Sequence, residues 1–256
     1  MPTWKDTPSA RAHGLEVDMA EVQEVVPGLY RVPLGVVNAY LLVDSAVTVI
    51  DTGTPGSEDK ILGAVRTLGK KPGDVNAIIV THCHADHSGS LAALKEATGA
   101  PAWMHPADAA LVRSGVAARE MRPAPGLANR LLFTAMRFMA PSSVSPAEVE
   151  HSAEDGDELP FAGGLQVFHV PGHCAGQIAL VWPRHGGVLV AADAASNMAF
   201  PWQKGLGYPP IFEDLEEGKR SLRRLAQLEV EVFGHGGPIL GGAGAQLHER
   251  FGNLQH

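Results

Sequence analysis

The chain predicts an α/β fold in which two β-sheets pack face to face and helices cover their outer sides. Three observations point there. Short apolar runs at 29–34, 37–43 and 46–50 follow one another across Gly-containing or Asp-Ser turns, as consecutive antiparallel strands do. A second series, at 165–170, 177–182 and 187–192, occupies the C-terminal half. Segments with apolar residues at helical spacing, clearest at 57–68 and 213–228, flank both series. Each half therefore runs strands, a histidine-bearing turn and helices, without a residue-level repeat.

In chain order, 57–68 is expected to be a helix with Ser57 as cap. Glu58 and Asp59 fall in its first turn, where the helix dipole favours acids, and Ile61, Val65 and Leu68 share one stripe. Residues 77–80 form a continuous apolar run suited to a strand buried on both faces. Leu91, Leu94 and Ala97 mark a helix over 88–98 that Gly99 stops. A further helix at 127–140 carries Leu127, Leu131, Leu132, Met136 and Met139 on a broad apolar face, with Arg130, Thr134 and Arg137 on another stripe. Pro123, Pro125, Pro141 and Pro146 set it off, so 116–150 reads as an inserted segment. It suits either a lid over a cleft or a packing or homodimer face. Leu215, Leu222 and Leu225 define the helix at 213–228, and 230–233 is a last strand leading to His235. With 256 residues, 45% of them hydrophobic, one domain over 1–256 can enclose a large core.

Composition excludes several classes. The formal net charge is −8 with no basic stripe, which opposes nucleic acid and favours a small-molecule substrate. No stretch approaches the roughly 20 apolar residues of a membrane span, and the first 25 residues hold no apolar signal core, so a soluble cytoplasmic protein is expected. Cys83 and Cys174 give no disulfide framework and are expected as small buried hydrophobes.

The chemistry concentrates in Thr81-His82-Cys83-His84-Ala85-Asp86-His87, placed between the strand at 77–80 and the helix at 88–98. In extended backbone side chains alternate, so His82 and His84 face one way and Cys83 the other. Asp86 and His87, entering the turn, can converge on a second point. Neutral imidazoles with carboxylates suit zinc and similar metals, and a set poor in cysteine suits a catalytic rather than a closed structural site.

His-x-His-x-Asp-His resembles the signature of the metallo-β-lactamase fold superfamily. Further pieces stand in that family's order: Asn38 to Val43 and Ile50-Asp51-Thr52-Gly53 upstream, then Val170-Pro171-Gly172-His173, Ala191-Ala192-Asp193 and Phe233-Gly234-His235-Gly236. The likeness covers about residues 26 to 240. It implies a four-layer αββα sandwich holding two zinc ions, with iron or manganese as substitutes. By the same resemblance His82, His84 and His173 hold one metal, Asp86, His87 and His235 the other, and Asp193 bridges them. The implied activity is hydrolysis of an ester, thioester or lactone by a hydroxide shared between the metals. Asp86 would orient that hydroxide or move its proton, and Asp51 and Thr81 would fix imidazole orientation.

Within the family, the metal set is similar to those of glyoxalase II and lactonase branches. The segment after His235 is short for the glutathione-recognising helices of the former. Ser196 stands where lactonases carry a tyrosine, with Tyr208 as a loose substitute. Two other readings fit: an iron persulfide dioxygenase using His82, His173 and Asp193, and a ligand-binding member without turnover. His105 and His169 are expected to be structural, and His13, His151, His185, His248 and His256 solvated.

Overall fold

The structure, a computed structural model, describes residues 22–139, 142–197, 205–234 and 236–254. The N-terminal half begins with four strands, Gln23–Val26 (β1), Leu29–Pro33 (β2), Asn38–Val43 (β3) and Val47–Ile50 (β4). Helix α1 (Glu58–Thr67), strand β5 (Val75–Ile79), the one-turn helix α2 (Ala85–Ser88), helix α3 (Leu91–Thr98), strand β6 (Ala102–Met104) and helix α4 (Pro106–Arg113) follow. Strand β7 (Arg122–Pro123) and helix α5 (Leu127–Met139) then precede β8 (His151–Ser152). The C-terminal half contains β9 (Glu158–Leu159), β10 (Leu165–His169), β11 (Ile178–Trp182), β12 (Val188–Val190), β13 (Ile211–Phe212), α6 (Leu215–Leu225), β14 (Val232–Phe233), β15 (Ile239–Leu240) and α7 (Ala243–Phe251).

The strands assemble as the sequence predicts. One sheet has the order β1-β2-β3-β4-β5-β6-β8 and the other β15-β14-β12-β11-β10-β9. The meander β2-β3-β4 is antiparallel, and β5, β6 and β8 add in parallel. Strand alternation sorts the side chains into layers. In β3, Tyr40 and Leu42 join the cluster between the sheets, while Ala39 and Leu41 pack with Ile61, Val65, Leu91 and Leu94 of the helices. In β11, Ile178, Leu180 and Trp182 face the other sheet, while Ala179 and Val181 pack under Leu222, Leu225, Leu247 and Phe251. Helix, sheet, sheet, helix is the resulting order.

Local departures have physical reasons. Ser57 stands at the start of α1 without a side-chain cap bond; its hydroxyl lies 3.3 Å from Thr54 Oγ1, and its amide donates to Ser90 Oγ at 2.9 Å. The helix expected over 88–98 is split, because the metal-turn residues form α2 before α3 starts at Leu91, and Ala97 is exposed. Gly99 does end α3, at φ 72°. Helix α4 follows β6 directly, with His105 as its N-cap. His105 Nδ1 accepts the Ala107 amide, and Pro106 supplies the preset first turn. Helix α5 forms, with Leu127 and Leu131 74% and 64% exposed; the side chains of Met136 and Met139 lie outside the description.

Candidate metal centre

Every described histidine of the expected set arrives at the carboxyl edge of the two sheets. Val80 continues β5 by donating its amide to the Trp103 carbonyl at 2.9 Å, and Thr81 opens the turn. Asp51, just past β4, takes a left-handed backbone at φ 60°, which aspartate tolerates better than most side chains. Its carboxylate accepts the Thr81 amide at 2.8 Å, the Thr81 hydroxyl at 2.9 Å and His87 Nδ1 at 2.8 Å. The His87 carbonyl in turn accepts the Thr52 amide at 2.7 Å. The turn is thus tied to the β4 end at both of its ends.

These bonds dictate tautomers. Thr81 Oγ1 spends its proton on Asp51, so at 3.1 Å it accepts from His82 Nδ1, leaving His82 Nε2 with a lone pair. That Nε2 is fully buried and has no hydrogen-bond partner. His173 Nδ1 donates to the Ile211 carbonyl at 2.9 Å, so its Nε2 is also a lone pair. His84 Nδ1 lies 2.9 Å from that Nε2, and the His84 ring stands 4.8 Å from His82 and 4.7 Å from His173. A buried ring nitrogen without a partner, beside two others that converge on one point, is a donor set that a cation satisfies. Burial, reinforced by neighbouring imidazoles, pushes the pKa values of His82 and His84 well below the ordinary histidine value and keeps both neutral, the form that binds metal.

Asp193 lies beside this trio. It sits in a turn after β12, aimed by Ala192 at φ 46°. Its Oδ1 is 3.4 Å from His87 Nε2 and its Oδ2 3.4 Å from His173 Nε2, so one carboxylate straddles the two histidine groups. Asp86 Oδ2 is 3.9 Å from His87 Nε2 and its side chain is 40% exposed, at the open rim. Burial opposes a charge on His87, but Asp51, Asp193 and Asp86 around it hold its pKa well above the usual value. His235, expected here, lies outside the described residues. Asn38 and Asn197 hold the flanking chain by donating to the Gly236 and Gly237 carbonyls, respectively.

Cys174 is more than a small hydrophobe. Its Sγ lies 3.3 Å from His84 Nε2, within 4.8 Å of the donor atoms of His82 and His173, and burial keeps the thiol protonated. The His-Cys pair directly after Pro171-Gly172 is the signal the sequence offers, and only the fold shows that the sulfur faces the other loop's histidine. His105 and His169 stack on each other at 4.0 Å, and His169 Nε2 donates to the Ala175 carbonyl, so both are structural as expected. Tyr208 packs against Phe251 of α7.

The chain is similar to known proteins along most of its length. A family profile described as the metallo-beta-lactamase superfamily matches residues 32–236. The probable metallo-hydrolase YflN of Bacillus subtilis is 28% identical over 235 residues, spanning 85% of this chain and 87% of that protein. The uncharacterized protein YobT of the same bacterium is 31% identical over 210 residues, 78% of this chain and 83% of its own length. Among solved structures, a subclass B3 metallo-beta-lactamase of Bradyrhizobium japonicum superposes with a TM-score of 0.63 at 19% identity, covering 88% of this chain and 80% of that one. At that identity the likeness speaks for the fold.

Proposed function

Because the chain belongs to the metallo-beta-lactamase superfamily, we propose that it is a metal-dependent hydrolase whose cleft holds two zinc ions and cleaves an ester, thioester or lactone of a small, partly apolar substrate. The observation that carries this reading is the Asp193 carboxylate, placed 3.4 Å from a nitrogen of each histidine group. A carboxylate in that position could serve a cation held by either group. His82, His84 and His173 would hold one ion, and His87, Asp86 and His235 the other. When bound, such ions supply a water acidified toward neutral pH and polarise the scissile carbonyl.

The protein's own residues would do the remainder. Asp51 and Thr81 orient His82 and His87 and set their tautomers. Asp86, half-exposed at the rim, is suited to orient the attacking water and carry its proton to solvent. The acidic net charge of −8 suits a neutral substrate better than a polyanion. Exposed Leu127 and Leu131 on α5 suit a lid that closes on an apolar acyl chain, or a homodimer face. A cytoplasmic setting belongs to the same reading, in keeping with two unpaired thiols.

Metal content of the purified protein, measured by mass spectrometry beside a His84→Ala variant, tests the proposal. Two equivalents of zinc, with at least one lost in the variant, are expected, together with hydrolysis of ester, thioester or lactone substrates. One equivalent of iron with oxygen uptake would replace it by the persulfide dioxygenase reading. Absence of retained metal would leave a ligand-binding protein.

A further inference from the structure

We propose that Asp108, acting with Glu213 and the Arg119 that joins them, is a buried clamp holding the two histidine loops in register, and is thereby a positioning residue for the metal centre. The proposal rests on the metal-centre reading above. Asp108 lies in the first turn of α4 with a side chain entirely shielded from solvent. Its Oδ2 accepts the amide of Cys83 at 2.9 Å, the residue between His82 and His84. Its Oδ1 accepts the amide of Gly176 at 3.0 Å, three residues beyond His173. One carboxylate therefore grips both loops by their backbones.

The second carboxylate completes the grip. Glu213 Oε2 accepts the Ala175 amide at 3.0 Å, and the Glu213 amide approaches the Gly172 and His173 carbonyls at 2.9 and 3.2 Å. Arg119 Nη1 donates to Asp108 Oδ1 at 2.6 Å and to Glu213 Oε1 at 3.2 Å, while its Nη2 donates to the Ala107 carbonyl. Gly176 permits the approach, since a Cβ there would stand 2.6 Å from the Asp108 carboxylate. Burying a full charge costs several kcal/mol unless it is paired and hydrogen-bonded, and here both conditions are met at loops that carry the site.

A competing use of the same group is a third metal site. Cys83, Cys174 and Asp108 each offer a donor atom within 4.8 Å of the others. Both Asp108 oxygens, however, already accept backbone amides, and Arg119 occupies one of them. Cation binding would require that network to open.

The test compares Asp108→Asn and Glu213→Gln with the parent chain. In the metal-free protein, hydrogen exchange should quicken at 82–88 and 172–177 in Asp108→Asn, only at 172–177 in Glu213→Gln, and in neither at β3 or β11. In competition titrations Asp108→Asn should bind zinc more weakly by on the order of 10–100-fold, with altered visible absorption of the cobalt-substituted site. Should Asp108→Asn fail to fold, Glu213→Gln alone carries the test. Exchange rates and zinc affinity within twofold of the parent in both variants would overturn the clamp. So would a third zinc equivalent that is lost in Cys83→Ser, since Asp108 would then be a ligand. If the parent takes up no zinc, the metal reading fails and the exchange data alone decide the clamp.

Discussion

Asp51 shows how one side chain can set the chemistry of a neighbour it never shares a substrate with. Its two oxygens accept from the Thr81 amide, the Thr81 hydroxyl and His87 Nδ1, so in the neutral, metal-binding form of His87 the one proton stays at Nδ1. Asparagine keeps the left-handed backbone but replaces one acceptor oxygen by a donor. With the Thr81 amide still served by the remaining oxygen, the new NH2 group faces His87 Nδ1 and forces its proton to Nε2, toward Asp193. On the proposed two-zinc reading, Asp51→Asn should therefore lose the ion of the His87 group while retaining that of the His82, His84 and His173 group, so that mass spectrometry finds one equivalent of zinc in place of two. Both equivalents retained would show that Asp51 does not govern the tautomer. His82, His84 and His87 were legible in the sequence because their spacing places them on one turn, whereas His173 was legible only through the family resemblance. Asp108, Arg119, Glu213 and the sulfur of Cys174 were not, since each acts across a long stretch of chain and no local pattern marks a tertiary hydrogen bond.

The elements divide into those that packing determines and those it leaves open. Strands β3, β4 and β11 were legible because they are buried on both faces and therefore read as unbroken apolar runs. Two-residue strands such as β8, β9 and β15 carry too few side chains to show a period, and their pairing comes from the sheet edge they join. Helix α6 illustrates the determined class: Asp214 caps it by accepting the Glu217 amide, and Leu222 and Leu225 are fully buried beneath α7. Leu222→Ala should cost about 2–5 kcal/mol in urea unfolding, the range for a truncated core leucine. Helix α5 is the contrasting case. Leu131 is 64% exposed, and a groove of about 600 Å³ lined by Arg122, Pro123, Leu127, Arg130 and Leu215 opens at the foot of the helix. Leu131→Ser should shift stability by less than about 0.5 kcal/mol. If α5 is a lid, the same variant raises KM for apolar substrates; if it is a homodimer face, sedimentation reports a monomer and KM stays put.

At the scale of the molecule, the site lies where both sheets end, so the two halves can be coupled through it. The first half supplies His82, His84, Asp86 and His87 from the turn after β5, and the second supplies His173 and Asp193 from the ends of β10 and β12. A cation bound there would join segments that the sheet interface, the Asp108 clamp and backbone bonds such as that from the Ile178 amide to the Thr81 carbonyl already hold close. Such a cation binds the folded protein and not the dispersed ligands of the unfolded one, so it stabilises by mass action. At a free zinc concentration about 100 times Kd that amounts to about 2.7 kcal/mol for one site. For a chain of this size, with roughly 2–4 °C per kcal/mol, Tm should rise by on the order of 5–10 °C on zinc loading and fall back on chelation. The Leu222→Ala variant should show the same rise from a lower baseline, because its cavity lies in the layer beneath α7 and removes none of the ligating side chains. His84→Ala, which removes a donor from one group only, should show a smaller rise, and a rise of full size in that variant would show that the His82, His84 and His173 group holds no stabilising ion.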